Sequence, residues 1–125
     1  PLEVVRALNR LRTDRDGKFW FRTIVPAFYP IPDDGPVGKM LRAQGRHPYR
    51  PAHVHFMIAA PGYATLVTHV FVAGDRYLDS DAVFGVKDGL VRALEQQPAG
   101  ITAQGHTIER AMAALRYDFV LAPAR

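Results

Sequence analysis

The chain has 125 residues, 48% of them hydrophobic, which suits one domain (residues 1–125) built around one core. Its 16 basic and 12 acidic side chains leave a net charge of +4, but they interleave, as at Arg12, Asp14, Arg15 and Asp16, so no nucleic acid partner is expected; a mild positive field favours small anionic substrates instead. The absence of cysteine excludes disulfides, thiolate metal sites and a thiol nucleophile, and the longest uncharged run, 51–73, is broken by Pro, Gly and three His, so no membrane span is expected and the protein reads as cytoplasmic.

Along the chain, Leu2, Val4, Val5, Ala7 and Leu8 suit either a short helix or a frayed strand. Asp14 to Gly17 is a turn signal followed by the aromatic and β-branched run Lys18 to Val25, which predicts a hairpin over residues 10–25. The proline-rich stretch from Pro26 to Pro51 predicts extended loop, above all at Tyr29 to Pro36, because proline lacks an N–H and biases its predecessor away from helix. Such a long loop in a compact domain is more often functional than idle. Ala52 to Ala60 and Thr65 to Ala73 flank Pro61-Gly62-Tyr63-Ala64 and predict a second hairpin. A strand is expected near Gly89 to Leu94, loop from Glu95 to Thr107, and an edge strand in the alternating tail Leu115 to Leu121.

The stretch Arg50-Pro51-Ala52-His53-Val54-His55-Phe56 carries the first candidates for chemistry. Alternate residues of a strand share a face, so His53 and His55 point the same way and can converge on one ion. Two readings stay open on spacing alone: core histidines donating to carbonyls, or metal ligands. A neutral imidazole buried among apolar residues has a nitrogen that needs a partner, which a metal supplies. Tyr29 sits in the rigid proline-bounded arm and either packs on a proline or folds back as an oxygen ligand. A phenolate at neutral pH calls for a strongly acidic cation such as ferric iron.

The segments GKFWFRTIVPAFYPIPDDGPVG, GRHPYRPAHVHF, APGY and LVTHVFVAGDRYLDSDAVFGVKDGLV, with the tail RYDFVLAP, resemble the intradiol ring-cleaving dioxygenases, most closely the hydroxyquinol 1,2-dioxygenase branch. The resemblance implies an all-β fold, an antiparallel β-sandwich, with Fe(III) as cofactor and an aromatic diol and O2 as substrates, yielding muconate or maleylacetate-type acids. It assigns Tyr29, His53 and His55 as metal ligands, Tyr29 also as the group that takes a substrate proton, and Arg50 as the cation that stabilises charge on the bound diol. It gives His69 the place of a polar neighbour on the oxygen side and puts Ile31, Pro32, Arg50 and Val83 around the aromatic ring. Arg50 has Asp33 or Asp34 as candidate ion partners. The family's other tyrosine ligand lies upstream of the Asp14–Gly17 turn, and no tyrosine precedes Tyr29, so three of four protein ligands are expected from this chain, which reads as short at its N-terminus. The family's N-terminal dimerisation region implies a homo-oligomer. Two rivals stand beside this reading: a catalytically impaired β-sandwich remnant that self-associates, and a zinc site of His53, His55 and His69.

Overall fold

The computed structural model describes residues 10–102 and 105–125. The expectation for Leu2 to Leu8 lies outside the described residues. Short strands dominate: β1 (Tyr29–Pro30), β2 (Tyr49–Arg50), β3 (His53–Ile58), β4 (Leu66–Val72), β5 (Val91–Arg92), β6 (Glu95–Gln97), β7 (Gly100–Ile101), β8 (Thr107–Ile108) and β9 (Met112–Ala114). Among the described residues one α-helix, α1 (Pro36–Ala43), joins them, with single 3-10 turns at Leu78–Ser80 and Asp88–Leu90.

The centre is the β3–β4 hairpin. Pro61 and Gly62 occupy the middle of its turn, where Tyr63 N–H donates to the Ala60 carbonyl at 3.1 Å and Gly62 takes φ 80°, the left-handed conformation that glycine tolerates at the third position of a type II turn. The antiparallel register sets His53 opposite Phe71 and His55 opposite His69. Directly opposed residues share a face, so these four rings gather on one side of the sheet. β5 adds to β4 in parallel, pairing Phe71 with Val91, so the sheet is mixed where an antiparallel one was expected. Val70 and Phe71 are fully buried and form the core of this ladder. On the reverse face, Phe56 packs against Phe119, with ring centroids 4.8 Å apart, and against Phe19 and Phe21.

The proline-rich stretch is not all loop. Pro36 opens α1 at a position where its missing N–H costs nothing. The helix closes on Gly45 (φ 64°), with Arg46 N–H donating to Leu41 O at 2.8 Å and Gly45 N–H to Arg42 O at 3.0 Å, the paired bonds of a Schellman ending. Leu41 seats it in the core. Gly38 lies so close to the Asp33 carbonyl that a Cβ would stand 1.6 Å from that oxygen, so no other residue fits there. The turn and helix bring the chain back for β2 to pair with β1, Tyr29 opposite Arg50.

Three other expectations are corrected. The Asp14–Gly17 turn forms, with Asp14 N–H donating to Lys18 O at 2.8 Å, but Lys18 to Val25 joins no ladder; Phe19 and Phe21 pack on Phe56 and Trp20 lies against His106. The segment from Glu95 to Thr107 contains β6 and β7, paired with β9 and β8; these are two- and three-residue backbone ladders with no apolar alternation to reveal them. The tail Leu115 to Leu121 forms no strand, and the chain rejoins the hairpin turn only at a single bridge between Pro123 and Tyr63. Among the described residues no helix is long and apolar enough to cross a membrane.

Candidate metal centre

Three strands of two ladders deliver Tyr29, Arg50 and His53 to one point. β1 carries Tyr29, its neighbour β2 carries Arg50, and β3 begins three residues later with His53. The Tyr29 hydroxyl lies 3.2 Å from His53 Nε2, and His55 Nε2 lies 3.1 Å from the same nitrogen. Arg50 Nη1 is also 3.2 Å from it. His53 Nδ1–H donates to the Pro51 carbonyl at 2.6 Å, which fixes the tautomer and leaves Nε2 as a bare lone pair. One lone pair cannot serve three hydrogen-bond donors at once. A cation held jointly by Tyr29 Oη, His53 Nε2 and His55 Nε2 resolves that crowding, so the donor set fits a metal with nitrogen and oxygen ligands.

Protonation is disfavoured here. Burial lowers the His53 pKa from 6.5 to about 4, with the nearby Arg50, His55 and His69 adding to the effect against the Pro51 hydrogen bond. His55 is lowered too, first by partial burial and then by His69 and Arg50. Imidazoles kept neutral are available as ligands without proton release. The burial argument applies unevenly, however. His53 is 8% exposed, whereas His55 is exposed, and every buried side-chain nitrogen and oxygen among the described residues has a partner. The need of a buried imidazole nitrogen for a partner therefore applies to His53 and not to His55.

Arg50 pairs with neither Asp33 nor Asp34. It is 7% exposed and engages Asp81, Nε to Oδ1 at 3.0 Å and Nη2 to Oδ2 at 3.2 Å. Asp33 instead meets Arg42 at 3.8 Å on the surface. Burial raises the Asp81 pKa, but the Arg50 hydrogen bonds and the Gly85 and Val83 N–H groups outweigh it, so the carboxyl is held below its ordinary value.

His69 flanks the cluster, its ring centroid 5.4 Å from His55 and 5.7 Å from His53, and its Nε2–H donates to the Gly85 carbonyl at 3.2 Å. That engagement takes His69 out of a three-histidine site. Among the described residues no three of His, Cys, Asp or Glu are arranged to hold a metal; the three donors that meet at this point include the Tyr29 hydroxyl. Ile31 and Pro32 continue the Tyr29 arm, Ile31 N–H donating to Pro48 O at 2.9 Å, and Val83 is 47% exposed in the loop after Asp81. None of the three belongs to the hydrogen-bonded cluster. Two surface hollows lie away from the cluster: one of about 380 Å³ is lined by Arg22 and Ile108 to Met112, and one of about 170 Å³ by Leu78, Asp79, Asp81, Phe84 and Val86. The chemistry lies at a concentration of donors instead. The residue that sequence reasoning missed is Asp81, visible only as part of the polar patch Asp79-Ser80-Asp81, with nothing local to pair it with Arg50.

The fold and the site point to one class. The sequence profile of a dioxygenase family matches residues 4–123. The chain belongs to the intradiol ring-cleavage dioxygenases, with a β-rich sandwich fold whose sheets are small and open. It is 57% identical over 122 residues to 6-chlorohydroxyquinol 1,2-dioxygenase of Cupriavidus pinatubonensis, covering 98% of this chain and 40% of that protein. It is 57% identical over 119 residues to hydroxyquinol 1,2-dioxygenase of Nocardioides simplex, covering 94% and 41%. The crystal structure of hydroxyquinol 1,2-dioxygenase from Pseudomonas putida DLL-E4 matches with a TM-score of 0.85 at 53% identity, over 90% of this chain and 40% of that one. The chain thus spans about two fifths of the length of the relatives it matches.

Proposed function

We propose that this chain carries the iron-binding part of a non-haem Fe(III) intradiol dioxygenase that cleaves catechol-type diols, hydroxyquinol or catechol, with O2. The observation that supports it is the meeting of Tyr29 Oη, His53 Nε2 and His55 Nε2 at 3.1–3.2 Å beside Arg50. Those three side chains would hold the ion. When bound, the ion supplies the Lewis-acid and redox chemistry that opens a diolate to attack by O2.

The chain's own residues do the rest. Tyr29 Oη stands where it can take a proton from an incoming diol hydroxyl. The Arg50 guanidinium, permanently charged, stabilises negative charge on the diolate and on the carboxylates that form. His69 borders the site on the β4 side, and Ile31, Pro32 and Val83 line the ring from the two flanking segments. The carbon–carbon bond between the two hydroxylated carbons breaks and both atoms of O2 enter the product, so catechol gives a muconate-type diacid and hydroxyquinol a maleylacetate-type acid. Residues 1–125 act as a single catalytic unit in this reading, in a cytoplasmic homo-oligomer; exposed apolar side chains such as Met57, Val67 and Phe84 support association with further polypeptide.

Oxygen uptake by the iron-loaded chain tests the proposal. One O2 consumed per hydroxyquinol or catechol is expected, with the rate falling at least ~100-fold in Tyr29→Phe and His53→Ala. Stoichiometric iron with no uptake on either diol contradicts it.

A further inference from the structure

The proposed chemistry uses Arg50 but not the group that holds it. Asp81 is 3% exposed and sits behind Arg50 as seen from the cluster, which only Arg50 Nη1 touches. Each of its carboxylate oxygens accepts two hydrogen bonds. Oδ1 accepts from Arg50 Nε at 3.0 Å and from Val83 N–H at 3.3 Å, and Oδ2 from Arg50 Nη2 at 3.2 Å and from Gly85 N–H at 2.9 Å. A carboxylate offers about four acceptor sites, so none remains for a substrate or a transferred proton. Asp81 is therefore not a general base.

Its grip is directional. Engaging Nε and Nη2 leaves Nη1 as the free corner of the guanidinium, and Nη1 is the atom facing His53 Nε2 at 3.2 Å. The same carboxylate folds the loop that carries Val83. Phe84 is held in the left-handed region at φ 55°, unfavourable for a side chain, with its N–H donating to the Asp81 carbonyl at 3.0 Å. Gly85 then reaches the other wall, accepting from His69 Nε2–H at 3.2 Å. A Cβ on Gly85 would stand 3.0 Å from Arg50 Nη2, 3.1 Å from Asp81 Oδ2 and 3.2 Å from His69 Nε2. The loop is wedged among all three.

We propose that Asp81 is a positioning residue: with the backbone of Gly85 it fixes the guanidinium corner of Arg50 and the ring of His69 at the border of the Tyr29–His53–His55 cluster. The value of that border for diol turnover rests on the function proposed above, whereas the anchoring of Arg50 does not.

Two measurements separate these. In nitrogen-resolved NMR of the full chain prepared without metal, the Arg50 Nε–H is expected to exchange with water at least ~100-fold more slowly than that of exposed Arg42, and Asp81→Asn is expected to abolish the difference. Equal exchange of the two arginines in the unsubstituted chain overturns the proposal. In the iron-loaded protein, Asp81→Asn is expected to lower kcat ~10- to 100-fold with KM within about threefold, yet to cost less than about threefold more in an Arg50→Lys background. Full additivity overturns the positioning role, because a general structural defect does not depend on which side chain occupies position 50. Should Asp81→Asn not fold, Gly85→Ala keeps every charge and is expected to speed Arg50 Nε–H exchange and lower kcat; an unchanged Gly85→Ala protein overturns the proposal. If the unsubstituted iron-loaded protein turns over no diol, the functional reading is lost and the exchange measurement alone decides the anchoring.

Discussion

The two ends of the β3–β4 hairpin share one ladder and one alternation of side chains, yet they are different materials. At the inner end His53, Val70 and Phe71 are buried, and Arg50 and Asp81 are buried behind them. At the outer end Met57 and Val67, paired across the strands on the same face as the histidines, are 77% and 69% exposed. Strand periodicity assigns residues to a face, but it does not say how much of that face is covered. Coverage comes from elements far away in sequence: the arm of β1, the return through α1 to β2, and the loop from Asp81 to Gly85.

Substitutions at the two ends sharpen that contrast. The largest effect is expected for Arg50→Ala, which leaves the Asp81 carboxylate buried without its cation; a loss of about 3–5 kcal/mol in urea unfolding is expected. The matching change on the surface, Arg42→Ala, removes an exposed 3.8 Å pair with Asp33 and should cost no more than about 1 kcal/mol. Equal losses from the two arginines would break the comparison.

The apolar pair matches it in size. Phe71→Ala empties a fully buried site and is expected to cost about 3–5 kcal/mol, whereas Met57→Ala on the exposed end should stay within about 0.5 kcal/mol. A Met57→Ala loss approaching that of Phe71→Ala would mean that the outer end is covered in solution.

A third expected outcome concerns pH in the metal-free chain. The folded pKa of His53 is about 4 against an ordinary value of 6.5, so the folded state binds fewer protons than the unfolded one between these values. The stability tied to neutral His53 is fully present above pH 6.5 and is lost as pH falls toward about 4, by on the order of 3 kcal/mol. Asp81, also lowered, acts in the same direction below its ordinary value. The acid-side slope should shrink in His53→Gln.

The smallest effect is expected at Gly62. Gly62→Ala forces a side chain into φ 80° at the outer turn, where a Cβ meets nothing within 4 Å, so the loss should be about 1 kcal/mol of backbone strain alone, read as a small drop in Tm.

What was legible in the sequence follows the same division. The β3–β4 hairpin was readable because Pro61-Gly62 punctuates two β-branched runs, and the shared side of His53 and His55 followed from strand geometry. Helix α1 was hidden among prolines, although Pro36 at its first position and Gly45 after its end are the ordinary markers of a helix start and stop. The β6–β9 and β7–β8 pairs left no trace, since two- and three-residue ladders carry no periodicity. At the site, the resemblance singled out Tyr29 and the two histidines, whose side chains meet in the fold. The Arg50 partner was not, because a contact across 31 residues depends on how the chain returns and on which carboxylate the fold buries.

The central claim is that Tyr29 shares one ferric ion with His53 and His55, and a visible absorption spectrum taken with iron analysis addresses it most directly. The iron-loaded chain should bind about one iron per chain and show a phenolate-to-iron band that disappears in Tyr29→Phe and survives in Tyr63→Phe. A colourless protein with iron bound, or a band indifferent to Tyr29→Phe, would contradict the account.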